Sequence, residues 1–247
     1  MIAFVFGLII LCVLQVASMC GYLDPQLIPS PFDIFKSFIE VQDGFLDAFW
    51  STFKNSFLGF VLSAHIGFFS GLMLFSVPIL RRGLLPFAVF FQTVPIIAIA
   101  PLLVIYFGFG DLTIVTSTLI VGFFPMVASV CHALESTPSE YIDLFQFYRA
   151  GFSSRLLHLH IPMSCHGIFS GLKITAGLCV IGAVAGEFVA GSGLGAMIDI
   201  AKTQQRVDIV YLCIFGLSLI GLTLLFLVYF LEFLILQWRP FYVSKIK

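Results

Sequence analysis

The feature that most constrains this chain is a succession of apolar runs long enough to cross a lipid bilayer, interrupted by one polar island at residues 136–162. The island reads STPSEYIDLFQFYRAGFSSRLLHLHIP. It opens at a Thr137-Pro138 break, carries charge of both signs and closes on Ile161-Pro162. Only 10% of the residues are charged, and the mean hydropathy is +1.10. Soluble domains carry about 25% charged residues, so water is not the main solvent of this chain. At roughly 20 apolar residues per spanning helix, 247 residues hold five or six spans and no extramembrane domain. The net charge of -1 provides no basic field and excludes nucleic acid as a partner.

The fold class expected is all-α: a polytopic membrane protein of about six helices forming a single domain over residues 1–247. Residues 1–20 are read as a retained first helix, because no basic residue precedes the apolar stretch as it would in a cleaved signal. Residues 21–54 form a loop with a surface-lying amphipathic helix around 32–40, which Ser30 or Asp33 can start. Helices two to four occupy 55–133, with spans at 55–80, 84–108 and 112–133. The polar loop takes 134–166, helices five and six take 167–240, and 241–247 is a tail. Trp238-Arg239-Pro240 reads as an interfacial anchor. With the first helix entering from the cytoplasm, Arg81, Arg82, Arg149, Arg155, Arg239, Lys245 and Lys247 face inside. Basic residues collect on the cytoplasmic side of membrane proteins, which puts the island and both termini there.

Within the island, Pro138 suits a first helical turn, with Ser136, Glu140 and Asp143 as cap and first-turn acids. Helical spacing then brings Tyr141, Leu144, Phe145 and Tyr148 near one face. Ala150-Gly151 is a stop, after which residues 152–155 begin a second short segment. Such a pair presents an aromatic knob to another protein, or lies as an amphipathic helix on the bilayer. The residues alone leave both readings open.

These residues resemble the cytoplasmic signature loop of ABC-transporter permease subunits in the binding-protein-dependent importer family. That signature reads Glu-Ala-Ala, three residues, Gly, nine residues, Ile, one residue, Leu-Pro. Asp143 takes the Glu place, Leu144 and Phe145 the Ala places, Leu159 the Ile place, and Ile161-Pro162 the Leu-Pro place; Arg149 stands where the Gly falls, with Gly151 two residues later. Residues 27–33, 95–110 and 181–195 resemble, in order, segments of the nitrate, sulfonate, taurine and pyrimidine-precursor branch. The resemblance implies a permease subunit that forms the solute path, works as a homodimer in the inner membrane and is not itself an enzyme. Its partners would be a cytoplasmic ATPase, which binds ATP and magnesium, and an extracytoplasmic solute-binding protein. It implies ATPase coupling through a coupling helix at Glu140, Tyr141, Asp143, Leu144, Phe145, Tyr148, Arg149 and Gly151, with loop closure at Ile161 and Pro162. The chain has no G-x-x-x-x-G-K-[ST] phosphate loop, so no cofactor is expected on it.

The path is less legible. Pro95 and Pro101 break helical hydrogen bonds at membrane depth, which is tolerated along a cavity or inside protein. Gln92, just before Pro95, can then offer polar contacts to a solute, or the proline kink serves packing alone. Glu187 is an acid near the end of a span, followed by glycines 191, 193 and 195. It reads as a gate residue near the outer mouth, as an acid that reaches water, or as a partner of Lys202 or Arg206. His65, His158, His160 and His166 read as buried or interfacial residues, Lys173 as snorkelling to the interface, and the six scattered cysteines as apolar filler with no metal spacing. The alternative function is a self-sufficient secondary carrier or channel, for which Glu187 and Glu232 are the available acids. No H-E-x-x-H, G-x-S-x-G or paired intramembrane aspartates point to an intramembrane protease or lipid transferase, and the solute itself cannot be read.

Overall fold

A computed structural model describes residues 27–237, with Gln15, Val16 and Ser18. The rest of the expected first helix, with Cys12 and Cys20, and the Trp238-Arg239-Pro240 anchor lie outside the described residues. Helix α1 spans Pro31–Ser76, and it starts where the residues dictate. Ser30 Oγ accepts from Asp33 N–H at 3.2 Å, and the Asp33 carboxylate accepts from Ser30 N–H at 3.1 Å. This reciprocal pair satisfies two otherwise orphan donors, and Pro31 supplies a preset φ at the first position. The expected amphipathic helix is therefore real, but residues 41–54 are helix rather than loop. The helix runs on into the next span across a kink at Val41, where φ is -116° and ψ is 20°. The charged residues of 33–54 face outward, while Phe38, Phe45, Phe49 and Phe53 pack into the core.

Pro78 ends α1 at Ser76, four residues before the expected end of the second span at residue 80. A residue before proline avoids the helical region, and Val77 sits at φ -123°, ψ 90°. Helix α2 (Pro78–Phe91) therefore carries Arg81 and Arg82 within it, and α3 (Ile96–Phe107) follows a four-residue break. The expected third span is thus two helices bent by 98°. Of its prolines, only Pro95 marks the break, since Pro86 and Pro101 lie inside α2 and α3. Gly108 and Gly110, at φ 78° and 118°, make the turn into α4 (Asp111–Glu135). Helices α5 (Ser139–Phe147) and α6 (Phe152–Arg155) make up the polar island. A π-helical turn, Leu156–His160, joins α6 to α7 (Ile161–Ala190), which begins six residues before the expected fifth span. Helix α8 (Gly193–Thr203) was not expected at all; α9 (Val207–Leu236) is the last span.

Among the described residues there is no strand, and α1, α4, the 152–190 run and α9 are long and apolar enough to cross a membrane, with the bent α2–α3 pair a fifth candidate. Helices α4 and α7 form the centre, with α1 packed along α4 and α9 against α7. Small residues set this closeness, as they do where apolar helices meet in lipid. A Cβ on Gly182 of α7 would lie 2.9 Å from Thr118 Cα, and one on Gly67 of α1 2.7 Å from Met126 Cβ. The chain therefore has two ends. One carries α5 and α6; the opposite one carries α8 and the α3–α4 turn.

Candidate functional site

The polar island is shaped by its two stops. Ser136 does not cap α5; it ends α4, its Oγ donating to Ala133 O at 2.7 Å. Pro138, at φ -61° and ψ 141°, takes the N-cap place of α5. The helix closes at Arg149, which has φ 53°. Arg149 N–H donates to Gln146 O at 2.8 Å and Ala150 N–H to Phe145 O at 2.9 Å. This is the Schellman pattern, in which a left-handed residue turns the chain back over the last carbonyls. The expected stop at Ala150-Gly151 is thus one turn residue late, because Gly151 is extended at φ -63°. A backbone of positive φ favours glycine, and Arg149 is the residue that stands at the glycine place of the signature.

None of the residues of α5 is buried. Tyr141 and Leu144 are about half exposed, while Phe147 at 81% and Tyr148 at 75% project furthest. Their rings meet edge to face at 5.7 Å. Phe145, expected on this face, is half-buried, and Phe147 was missed because the helical spacing was counted from Tyr141 alone. Glu140, Asp143, Arg149 and Gly151 are all exposed. The arrangement is an aromatic knob rimmed by both signs of charge.

The loop is tied shut at its base. His160 is buried, with Nδ1 3.0 Å from Thr137 Oγ1 and 3.3 Å from Leu134 O. Its ring meets Phe75 of α1 edge-on at 4.9 Å. Ser164 Oγ donates to Ala133 O at 2.6 Å. Leu159 is buried beside them, and Ile161 and Pro162 are half-buried at the start of α7. So His160 is a core hydrogen-bonding residue, whereas His158 is exposed and bonds Ser154 O. Lys173 does not snorkel. It pairs with the buried Glu232 at 2.5 Å, lies 4.1 Å from the Tyr229 ring centroid, and shares Glu232 with His166 at 3.1 Å.

The path candidates separate. Gln92 lines a cavity of about 320 Å³ with Phe91, Ile96, Ile120, Phe124 and Leu178, at the break between α2 and α3. Phe91 and Phe124 stack there at 5.3 Å, and every lining residue is uncharged. Pro95 caps α3 and holds the bend open. Glu187 does not line that cavity; it is fully buried, at the end that carries α8. It neither reaches water nor meets Lys202, which pairs with Asp199, or Arg206, which pairs with Glu40 and Asp208. Hydrogen bonds to Asp208 first, then Glu40, hold the Arg206 proton above its usual range.

The described residues contain no cluster of three metal-ligating side chains. The sequence model of the family described as "Binding-protein-dependent transport system inner membrane component" matches residues 63–237. The chain is 34% identical over 227 residues to the formylaminopyrimidine transport permease protein ThiX of Halalkalibacterium halodurans, covering 90% of this chain and 89% of that one. It is 33% identical over 161 residues to the riboflavin transport system permease protein RibX of Chloroflexus aurantiacus, covering 65% and 60%. In fold it is similar to a chain of the inward-facing MetNI methionine ABC transporter, with a TM-score of 0.64 at 17% identity over 80% of this chain and 97% of that one.

Proposed function

The chain belongs to the family of binding-protein-dependent transport system inner membrane components, and on that premise we propose how it engages its partners. It is the multi-pass inner-membrane permease of an ABC importer, a transport subunit whose ATPase is a separate chain. Family membership sets aside the self-sufficient carrier. The ATPase docks on the α5–α6 loop through Glu140, Tyr141, Asp143, Leu144, Phe145, Tyr148, Arg149 and Gly151, with Ile161 and Pro162 closing the loop against α7. ATP and magnesium stay on that partner. The loop and both termini are cytoplasmic, and two copies of the chain enclose the path. A solute-binding protein meets the end that carries α8.

The observation that carries the docking reading is the exposure of Phe147 and Tyr148 on a helix with no buried residue. Exposed aromatics clustered with charge are what a protein pocket recognises. The base, by contrast, is bonded to the end of α4 through His160 and Ser164, which gives the knob a direct connection to α4 and α7. The test is affinity purification of tagged protein, comparing wild type with Tyr141→Ala/Phe147→Ala/Tyr148→Ala. An ATPase that copurifies with wild type and is lost from the folded variant supports docking; an ATPase retained by the variant refutes it.

For the solute we propose a small heteroaromatic molecule. The support is the cavity at Gln92, walled by stacked Phe91 and Phe124 and by uncharged residues only, together with the pyrimidine and flavin named for two relatives at about a third identity. Uptake of a labelled aminopyrimidine that exceeds uptake of taurine supports this class, and the reverse order refutes it.

A further inference from the structure

Helix α8 begins without a cap of its own: Ser192, at its N-cap place, makes no capping hydrogen bond. The first turn of any helix leaves N–H groups with no partner inside the helix. Here two other helices supply the acceptors. Thr52 Oγ1 on α1 accepts from Leu194 N–H at 2.9 Å, and Glu187 Oε2 on α7 accepts from Gly195 N–H at 2.8 Å. Both side chains are fully buried. A helix N-terminus carries partial positive charge, so a carboxylate is a favourable acceptor there.

Two of the three glycines that follow Glu187 in the sequence, Gly193 and Gly195, are explained by this contact. Gly193 has φ 70°, and a Cβ on it would fall on the Glu187 carboxylate. A Cβ on Gly195 would lie 2.7 Å from Glu187 Cβ and 2.9 Å from Val184 O. Leu194, between them, is fully buried in the cluster that contains Phe45. The other end of α8 is held as well, since Arg206 pairs with Glu40 of α1 at 3.0 Å and with Asp208 of α9 at 2.9 Å. Helix α8 therefore bridges α1 and α7 at the end of the molecule away from the docking loop. Helix α7 runs unbroken from that loop, and from Pro162 to Glu187 it spans about 37 Å.

We propose that Glu187 is a positioning residue: with Thr52 it latches the first turn of α8 to α7 and α1, so that α8 follows α7 when the docking loop moves. The driven movement rests on the docking reading above; the latch does not. A gate or solute-binding role needs the carboxylate itself. A latch needs only an acceptor aimed at Gly195, and a glutamine amide oxygen provides one. The second carboxylate oxygen, Oε1, has no hydrogen-bond partner among the described residues, so an amide nitrogen in its place gives up no bond.

Hydrogen exchange on the purified full-length permease tests the latch with Glu187→Gln, Glu187→Ala and Thr52→Val. Wild type and Glu187→Gln should protect the first turn of α8 alike. Glu187→Ala at Gly195, and Thr52→Val at Leu194, should exchange roughly tenfold faster or more, as loss of such a hydrogen bond implies. Equal exchange in Glu187→Gln and Glu187→Ala, or wild-type exchange in Glu187→Ala, overturns the latch. Spin labels at Ile200 and Leu112, both exposed, then test the movement in the complex with its ATPase. ATP with vanadate should change the label distance in wild type and Glu187→Gln but not in Glu187→Ala. A change in Glu187→Ala equal to wild type, or its loss in Glu187→Gln with α8 still protected, overturns the positioning role. If no ATPase copurifies with wild type, the docking reading falls and the driven movement with it, while the exchange result still decides the latch.

Discussion

Gly71→Ala adds one methyl group to the seam between α1 and α4, and the structure says what it meets. Gly59, Ser63, Gly67 and Gly71 recur every four residues along α1 and face Thr118, Gly122, Met126 and Val130 of α4. At Gly71 the new Cβ would lie 2.7 Å from Val130 Cβ, 2.8 Å from Val130 Cγ1 and 3.2 Å from Val127 O. Val130 is fully buried, and its Cβ is fixed by the backbone of α4, so no side-chain rotation moves it away. Ordinary contact begins at 3.4 Å, so the helices must part by about 0.7 Å, the difference between 3.4 and 2.7. Overpacking of this kind costs about 1–3 kcal/mol. Gly44 lies on the same helix with no atom within 4 Å of its would-be Cβ, and there alanine should stabilise the helix by about 0.5–1 kcal/mol. Unfolding in mixed detergent micelles, followed by ellipticity, should therefore separate the two variants by roughly 1.5–4 kcal/mol. A Gly71→Ala protein as stable as Gly44→Ala would refute the close approach of α1 and α4.

Other perturbations address other contacts. Glu232→Ala strands Lys173 inside the protein and should cost about 3–5 kcal/mol, whereas Glu232→Gln combined with Lys173→Met should recover most of it; the same unfolding assay reads both. Arg149→Gly should relieve the left-handed backbone and stabilise the loop by about 1 kcal/mol, seen as slower exchange at Ala150, whose N–H bonds Phe145 O. Arg206→Ala removes the link between the α8–α9 turn and Glu40 and should expose residues 31–40 to proteolysis, while Lys202→Ala, which removes only a pair on the exposed face of α8, should not.

Much of this architecture was legible where one physical rule dominates. Apolar runs of span length gave α4 to within two residues, and Pro138 with the acids after it gave α5. The failures lie where two rules compete. Residues 33–54 carry enough charge to read as a loop, yet their phenylalanines follow a helical period and bury one side. Pro95 and Pro101 look alike in sequence; only Pro95 marks the break, and the chain around them settles which. Helix α8 was hidden by its own glycines, which read as turn residues and are there because Glu187 occupies the space a side chain would need. Thr52, the second half of that contact, is separated from Leu194 by 142 positions and offers no local signal. The glycine and serine stripe on α1 has a four-residue period that is legible in the sequence among the apolar residues.

The most direct test of the central claim, that the α5–α6 loop holds the ATPase, is site-specific photocrosslinking in membranes. A photoreactive residue at Tyr148 should form an adduct with the ATPase chain, and one at Phe109, equally exposed in the turn at the opposite end, should form none. An ATPase adduct from Phe109, or none from Tyr148 while the ATPase still copurifies, would contradict the account.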